Sequence, residues 1–242
     1  MTLLEKNLNS MNNQQKEIVL TQWKKHQHED FEIDFDVSGE KDMLNGFVLK
    51  KGVWNPFLAS GRYHARYLFY HSDLFQEKTV IEIGSGTGLM SVIMAKYGAK
   101  KVIATDISKL SVENTKINIK KFGLEKICTV FESDLFENIT EKADLITWMI
   151  PFFSGTPPKG DTISASMIME TKLFEKFLID AKKYLNPKGV LLIPSFSLGG
   201  DFTDPAIMGK KFSYSIKTTW THKSINGIQQ GLIYMHELRL EK

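Results

Sequence analysis

Cysteine is almost absent from this 242-residue chain. Cys128 stands alone, which excludes an internal disulfide framework and a multi-cysteine zinc site, and its apolar neighbourhood marks it as a core residue. No uninterrupted apolar run approaches the roughly 20 residues of a membrane-spanning helix. The first ten residues, with Glu5, Lys6 and two asparagines, lack the apolar centre of a signal peptide, so a cytoplasmic protein without membrane association is expected. Low-complexity tracts and internal repeats are missing too. The excess of basic over acidic residues is small, 31 against 28, and gives no strong nucleic-acid signal. His26, His28 and His71 do not share a helical face with acids at metal-ligand spacing, and no metal site is expected. What is present, 42% hydrophobic residues over 242 positions, suffices for one large core.

The stretch Thr79-Val80-Ile81-Glu82-Ile83-Gly84-Ser85-Gly86-Thr87-Gly88 dominates the reading. An apolar, β-branched run ends in three alternating glycines and opens into Leu89 to Ala95, which reads as a strand, a tight turn and a helix. Glycines there let a ligand approach the backbone, and the first N–H groups of the helix lack intrahelical partners. Strand and helix then alternate. Lys101–Thr105 ends at Asp106, Ser108 caps a helix with Val112, Thr115, Ile119 and Phe122 on one face, and Gly123 follows its end. Ile127–Phe131 leads to Ser133-Asp134, and Asp144–Trp148 is a fourth strand. A loop from Met149 to Ser166 precedes the helix Thr171–Leu185, which Asn186-Pro187-Lys188-Gly189 should stop. Val190–Pro194 is a fifth strand. Two β-rich runs, Phe212–His222 and Ile228–Leu240, flank Asn226-Gly227, a hairpin-turn signal.

Before this unit, residues 1–50 form an N-terminal extension. Asn12–Asp30 predicts a helix with Ile18, Val19, Gln22 and Trp23 on a narrow face, and Phe31–Val37 a half-buried strand paired with Phe47–Leu49. Residues 51–242 form the main domain, an α/β fold with a doubly wound, mostly parallel sheet and an antiparallel terminal hairpin. Ligands bind beyond the carboxyl ends of such strands. Those ends carry Glu82 and the glycines, Asp106, Ser133 with Asp134, and Trp148 to Phe152. The third glycine comes one residue too early for a G-x-G-x-x-G dinucleotide fingerprint, and a Walker lysine is missing.

With these motifs in place, the chain resembles the class I S-adenosylmethionine-dependent methyltransferases over roughly residues 53–240. Val80 to Gly88 matches the family's E/D-x-G-x-G-x-G motif, Ala104-Thr105-Asp106 its second-strand acid, Ser133-Asp134-Leu135-Phe136 its third-strand motif and Asp144-Leu145-Ile146 its fourth. The resemblance implies a Rossmann-like fold and S-adenosyl-L-methionine as cofactor. It also implies that Gly84 and Gly86 approach the methionine moiety and that Glu82 orients the charged end. Asp106 would bind the ribose hydroxyls, Asp134 the adenine amino group, and Ile107 and Leu135 the two faces of adenine. Ser85, Gly88, Ser133 and Trp148 complete that wall.

Within the class the motifs are most similar to the branch of release-factor glutamine and ribosomal-protein methyltransferases, with Asn118 at the place of that branch's helical asparagine. That branch carries Asn-Pro-Pro-Tyr after the fourth strand; here the residues are Met149-Ile150-Pro151-Phe152, and a thioether cannot replace an amide's donor and acceptor. The acceptor pocket is expected from Trp54, Asn55, Arg62, Tyr63, Met149, Pro151 and Phe152. The acceptor itself is a small molecule or a protein, with RNA methylation or a catalytically silent partner subunit as alternatives. No residue declares itself a general base; Tyr63, His64, Asp161 and Glu170 are candidates by location alone.

Overall fold

The computed structural model describes residues 3–58, 60–225 and 230–241. The chain opens with a short helix α1 (Leu3–Lys6) and α2 (Asn13–Lys25), followed by a hairpin of β1 (Phe31–Asp36) and β2 (Met43–Leu49). The main unit runs α3 (Gly61–Tyr70), β3 (Thr79–Ile83), α4 (Leu89–Lys96), β4 (Lys101–Asp106), α5 (Lys109–Lys121), β5 (Cys128–Glu132) and β6 (Ala143–Trp148). After β6 come β7 (Phe153–Ser154), α6 (Thr162–Ala165), β8 (Ile168–Met169), α7 (Thr171–Tyr184) and β9 (Leu185–Phe196), then α8 (Pro205–Lys211), β10 (Tyr214–Ile225) and β11 (Gln230–Leu240).

Seven strands form one sheet in the order β10-β11-β9-β6-β3-β4-β5. β9, β6, β3, β4 and β5 are parallel, and β11 and β10 add antiparallel strands at one edge. From β3 the chain builds outward through β4 and β5, then returns to the other side of β3 with β6. The carboxyl ends flanking β3 are therefore the topological switch point, where a crevice opens.

Burial follows the two-residue period of a strand. Val80, Val102, Leu145 and Leu192 point into one core layer with α3, α4 and α5, while Ile81, Ile103, Ile146, Leu191 and Ile193 point into another with α7. α7 covers its layer with Phe174, Phe177, Leu178 and Ala181, an i, i+3, i+4, i+7 face. A third cluster lies under the amino-terminal helices, where Leu4, Leu8, Met11 and Val19 meet Phe153, Ile163, Met167 and Ile168.

The N-terminal hairpin shares the main core: Val37, Leu44, Phe47 and Leu49 are fully buried in the layer that holds Val80 and Ile93. It is also stitched to α5. Asn118 accepts from Val48 N–H (2.8 Å) and Asn114 from Lys50 N–H (2.8 Å), and both amides donate to the Val48 carbonyl.

Three sequence expectations change. The predicted helix Asn12–Asp30 is shorter: Asn12 is its cap, in a reciprocal capping box with Gln15, and it ends at Lys25 with His26 as C-cap. Asn186-Pro187-Lys188-Gly189 does not form a separate turn after α7. β9 begins at once, and these residues form an irregular excursion inside it, between the pairings of Leu185 with Ala143 and Val190 with Leu145, with Lys188 at φ 70° and Asn186 donating to Asp144. The third is α8, a helix the periodicity did not announce, although Asp204 caps it and Pro205 occupies its first turn, a start signal. The Asn226-Gly227 turn lies outside the described residues.

Asn118 tests how tightly hairpin, α5 and glycine loop are joined, since its amide also donates to the Thr87 carbonyl (2.8 Å). Asn118→Ala leaves the Val48 N–H and the Thr87 carbonyl without their buried partner. It is expected to lower unfolding free energy in urea by about 2–4 kcal/mol. A loss within experimental error would show that the Asn118 hydrogen bonds do not hold the hairpin to the loop.

Candidate functional site

The glycine loop is shaped by conformation and by support from behind. Gly84, Gly86 and Gly88 have φ of 66°, 56° and 81°, the left-handed region that side chains disfavour. At Gly88 a Cβ would also stand 2.9 Å from Thr115 Cγ2, whereas at Gly86 the space is open. Helix α5 pins the loop: Thr115 Oγ1 bonds Ser85 Oγ and the Gly86 carbonyl, both at 3.0 Å, and Asn118 holds Thr87.

Asp106, at the end of β4, grips the same loop from the side. One carboxylate oxygen accepts from Gly86 N–H (2.9 Å) and the other from Ser108 N–H (2.9 Å). Burial raises its pKa against the pull of those amides. Each oxygen keeps a lone pair for a further donor. Beside it, Ile107 is 66% exposed although it is a large aliphatic residue on the cavity rim.

A cavity of about 510 Å³ opens from this loop, within the roughly 300–1,000 Å³ of small-molecule sites. Glu82, Gly84, Ser85, Gly86, Asp106, Ile107, Ser133, Asp134, Leu135 and Trp148 all line it, so nearly every residue expected around the cofactor is brought together; Gly88 turns away into α5. Two side chains serve the frame. Ser133 Oγ donates to the Leu135 carbonyl and accepts from Asn138 N–H, shaping a turn in which Leu135 has φ 49°. Glu82 is buried, accepts from Ser91 Oγ, and is pushed up to about 8, first by burial and least by the charge of Asp106. The Trp148 ring packs on Phe177, and its indole nitrogen would lie 3.1 Å from a Cβ at Gly84.

The expected acceptor residues divide. Trp54, Met149, Pro151 and Phe152 line the cavity, Trp54 stacked on His26 with centroids 3.5 Å apart. Asn55, Arg62 and Tyr63 do not. Asn55 uses Oδ1 to hold Phe57 N–H, and its carbonyl meets His26 Nε2, so it builds the loop. Arg62 donates to the Tyr63 hydroxyl, and Tyr63 packs on His222 and Trp220, which turns both toward the terminal hairpin.

Of the four base candidates, Glu170 alone lines the cavity. His64 is buried off it, with Nε2 3.3 Å from Thr147 Oγ1, and desolvation lowers it to about 3. Asp161 caps α6 and accepts from Trp23 Nε1 at 2.8 Å. The sequence reading missed Ile18, Gln22, Gly52, Pro56, Ser60 and Gly61 as parts of the wall. A signal existed in α2, whose narrow apolar face needed a surface to cover.

Residues 65–198 match the family described as methyltransferase small domain, which covers more than half the chain. The chain belongs to this family. It is 34% identical over 135 residues to a Methanocaldococcus jannaschii protein provisionally named a protein N5-glutamine methyltransferase, covering 52% of this chain and 66% of that protein. With the ribosomal protein uL3 glutamine methyltransferase of Neisseria meningitidis serogroup A it shares 30% identity over 130 residues, 47% of this chain and 41% of the relative. The matches thus span between two fifths and two thirds of these relatives' lengths. Among solved structures, Trm5 of M. jannaschii in complex with adenosine aligns with a TM-score of 0.57 at 20% identity, over 82% of this chain and 55% of that one. The ribosomal protein L11 methylase of Lactobacillus delbrueckii subsp. bulgaricus aligns at 0.50 and 20% identity, over 72% and 77%. These likenesses show a Rossmann-like methyltransferase fold.

Glu82 gives the site a pH signature. Between about pH 4.5, its ordinary value, and about 8, its folded value, the folded protein holds a proton that the unfolded chain has released. This group's contribution to stability therefore falls as pH rises through that window. Glu82→Gln keeps an acceptor for Ser91 and removes the titration. Its Tm should match the parent near pH 4.5 and exceed it by several degrees near pH 8.5, at roughly 2–4 °C per kcal/mol. A Tm difference that stays constant over this range would remove the buried-proton assignment.

Proposed function

We propose that the protein is an S-adenosylmethionine-dependent methyltransferase, with the cofactor along the β3–β4–β5 strand ends and the acceptor against Trp54 and Met149 to Phe152. The observation that carries this reading is the open left-handed cradle at Gly86 with the Asp106 carboxylate clamped to its N–H and an exposed aliphatic Ile107 beside it. The donor set fits the cofactor: a carboxylate for two vicinal hydroxyls, backbone at the glycines for an amino-acid end, and Ile107 and Leu135 for a purine. Family membership supports the same reading.

When bound, the cofactor supplies a methyl group already activated on a sulfonium, so transfer is an in-line displacement. The chain's task is alignment and water exclusion. Asp106 fixes the ribose end, and Asp134, whose backbone carbonyl accepts from Glu137 N–H, keeps its carboxylate available to the adenine amine. Trp148 and Met149, at the end of β6, continue the wall toward the acceptor. The relatives named for ribosomal-protein glutamines support a protein acceptor, whereas the thioether of Met149, 3.9 Å from Ser60 Oγ, gives this wall an apolar lining. Among the described residues no helix is long and apolar enough to cross a membrane.

Calorimetric titration with S-adenosylmethionine and S-adenosylhomocysteine tests the reading. Asp106→Ala should weaken both by about 1–3 kcal/mol, which is roughly 5- to 150-fold. Ile107→Ser, at an exposed position, should weaken them with no loss of Tm. A folded parent protein that binds neither compound overturns the assignment, and unchanged affinity in both variants moves the nucleoside elsewhere. Formation of S-adenosylhomocysteine with any acceptor excludes a silent partner subunit.

A further inference from the structure

The amino-terminal helix α2 contributes Ile18 and Gln22 to the cavity wall, from outside the residues that match the family. Gln22 is 7% exposed, yet its side-chain carbonyl oxygen is buried with no hydrogen-bond partner. A buried amide oxygen without a partner beside a cavity is rare in a folded protein, because the acceptor has left water without replacement. The backbone explains its place but not its chemistry: the Gln22 carbonyl bonds His26, and the His26 ring stacks on Trp54, the next wall residue.

Apart from Asp134, assigned above to the adenine amine, the polar side chains of the wall named next are already committed. Glu82 accepts from Ser91, Asp106 from Gly86 and Ser108, Ser133 shapes its own turn, Thr162 Oγ1 donates to the Gly52 carbonyl, and Ser166 Oγ to the Thr162 carbonyl. The surroundings on the Met149 side are Trp54, Pro56, Ile150, Pro151 and Phe152. One amide with an unpaired oxygen among apolar and aromatic surfaces is the arrangement that orients a flat apolar ligand by a single polar edge.

We propose that the Gln22 amide positions the methyl acceptor by pairing, donor to acceptor and acceptor to donor, with an amide-type edge on a planar ring, such as an aromatic carboxamide or a lactam. Rotation about the last side-chain bond lets either end of the amide meet the ligand. Gln22 is a positioning residue: it fixes the angle at which the nucleophile faces the methyl group, and alignment of that kind governs the rate of displacement. The proposal rests on the methyltransferase reading above and adds the acceptor's chemistry to it.

The test is calorimetric binding to the full-length protein, parent and Gln22→Leu, saturated with S-adenosylhomocysteine, using benzamide, toluene and N-acetylglutamine methylamide as probes. Leucine preserves bulk and removes an unsatisfied amide oxygen, so Tm should hold or rise, where a structural role for Gln22 would lower it. S-adenosylhomocysteine affinity should stay within twofold. Benzamide should bind the parent and lose at least tenfold in the variant, with toluene unchanged or improved. Equal benzamide affinity in both proteins, or no benzamide binding to a parent that takes up S-adenosylhomocysteine, overturns the proposal alone. Loss of S-adenosylhomocysteine binding in the variant overturns it too and assigns Gln22 to the cofactor. Binding of the glutamine derivative without benzamide replaces the ring by a peptide side chain. A parent that binds no S-adenosylhomocysteine sinks the methyltransferase reading itself.

Discussion

The glycine loop between β3 and α4 depends on hydrogen bonds that come from other elements. Three residues within five have positive φ, a conformation that offers little intrinsic stability. Thr115 and Asn118 of α5 hold its carbonyls, and Asp106 of β4 holds the Gly86 N–H. The loop's outward face is left free because its inward groups are satisfied by neighbours. Preorganisation of this kind spares a bound ligand the entropy of ordering the loop.

The same helix ties the site to the amino terminus. Asn114 and Asn118 bind the β2 backbone with one set of atoms, while Asn118 binds Thr87 with another. Hairpin, helix and ligand loop therefore share buried hydrogen bonds, and a shift in one must be felt by the others. The placement of α2 follows. Its apolar face closes on β7, α6 and β8, the segment between β6 and α7, so the upper wall of the cavity comes from two distant stretches of chain. Phe153 and Ile168 are paired there through a short parallel ladder, which fixes the backbone of a segment rich in proline and glycine.

What could be read from the residues divides along the range of the interactions. β3, β4 and β6 were legible because strands covered on both faces are continuously apolar, and α5 because Ser108, a one-sided apolar face and Gly123 state its limits locally. Asp106, Asp134 and Leu135 were legible because each follows a strand end, and topology carries such ends to one crevice. Asn55, Arg62 and Tyr63 do not line the cavity because sequence proximity to Trp54 says nothing of rotation: α3 turns Arg62 and Tyr63 toward β10, about 160 residues away. Proline and glycine usually break structure, but at Asn186 to Gly189 flanking pairings to β6 retain the excursion inside a strand.

Gln22 shows the limit of such reading most clearly. On a helical wheel it sits between Ile18 and Trp23 like any polar residue at the edge of an apolar face, and solvent exposure is its ordinary fate. Its burial is decided by the segment from Val53 to Pro56, where Asn55 engages His26 and Trp54 stacks on that same ring. These contacts draw the end of α2 down onto the cavity, and the Gln22 amide goes with it. Local periodicity can place a polar residue on a helix, but only the tertiary contacts of its neighbours determine whether water or a ligand meets it. An amide oxygen held in that position without a protein partner is therefore better explained by what the cavity takes up than by the stability of the helix that carries it.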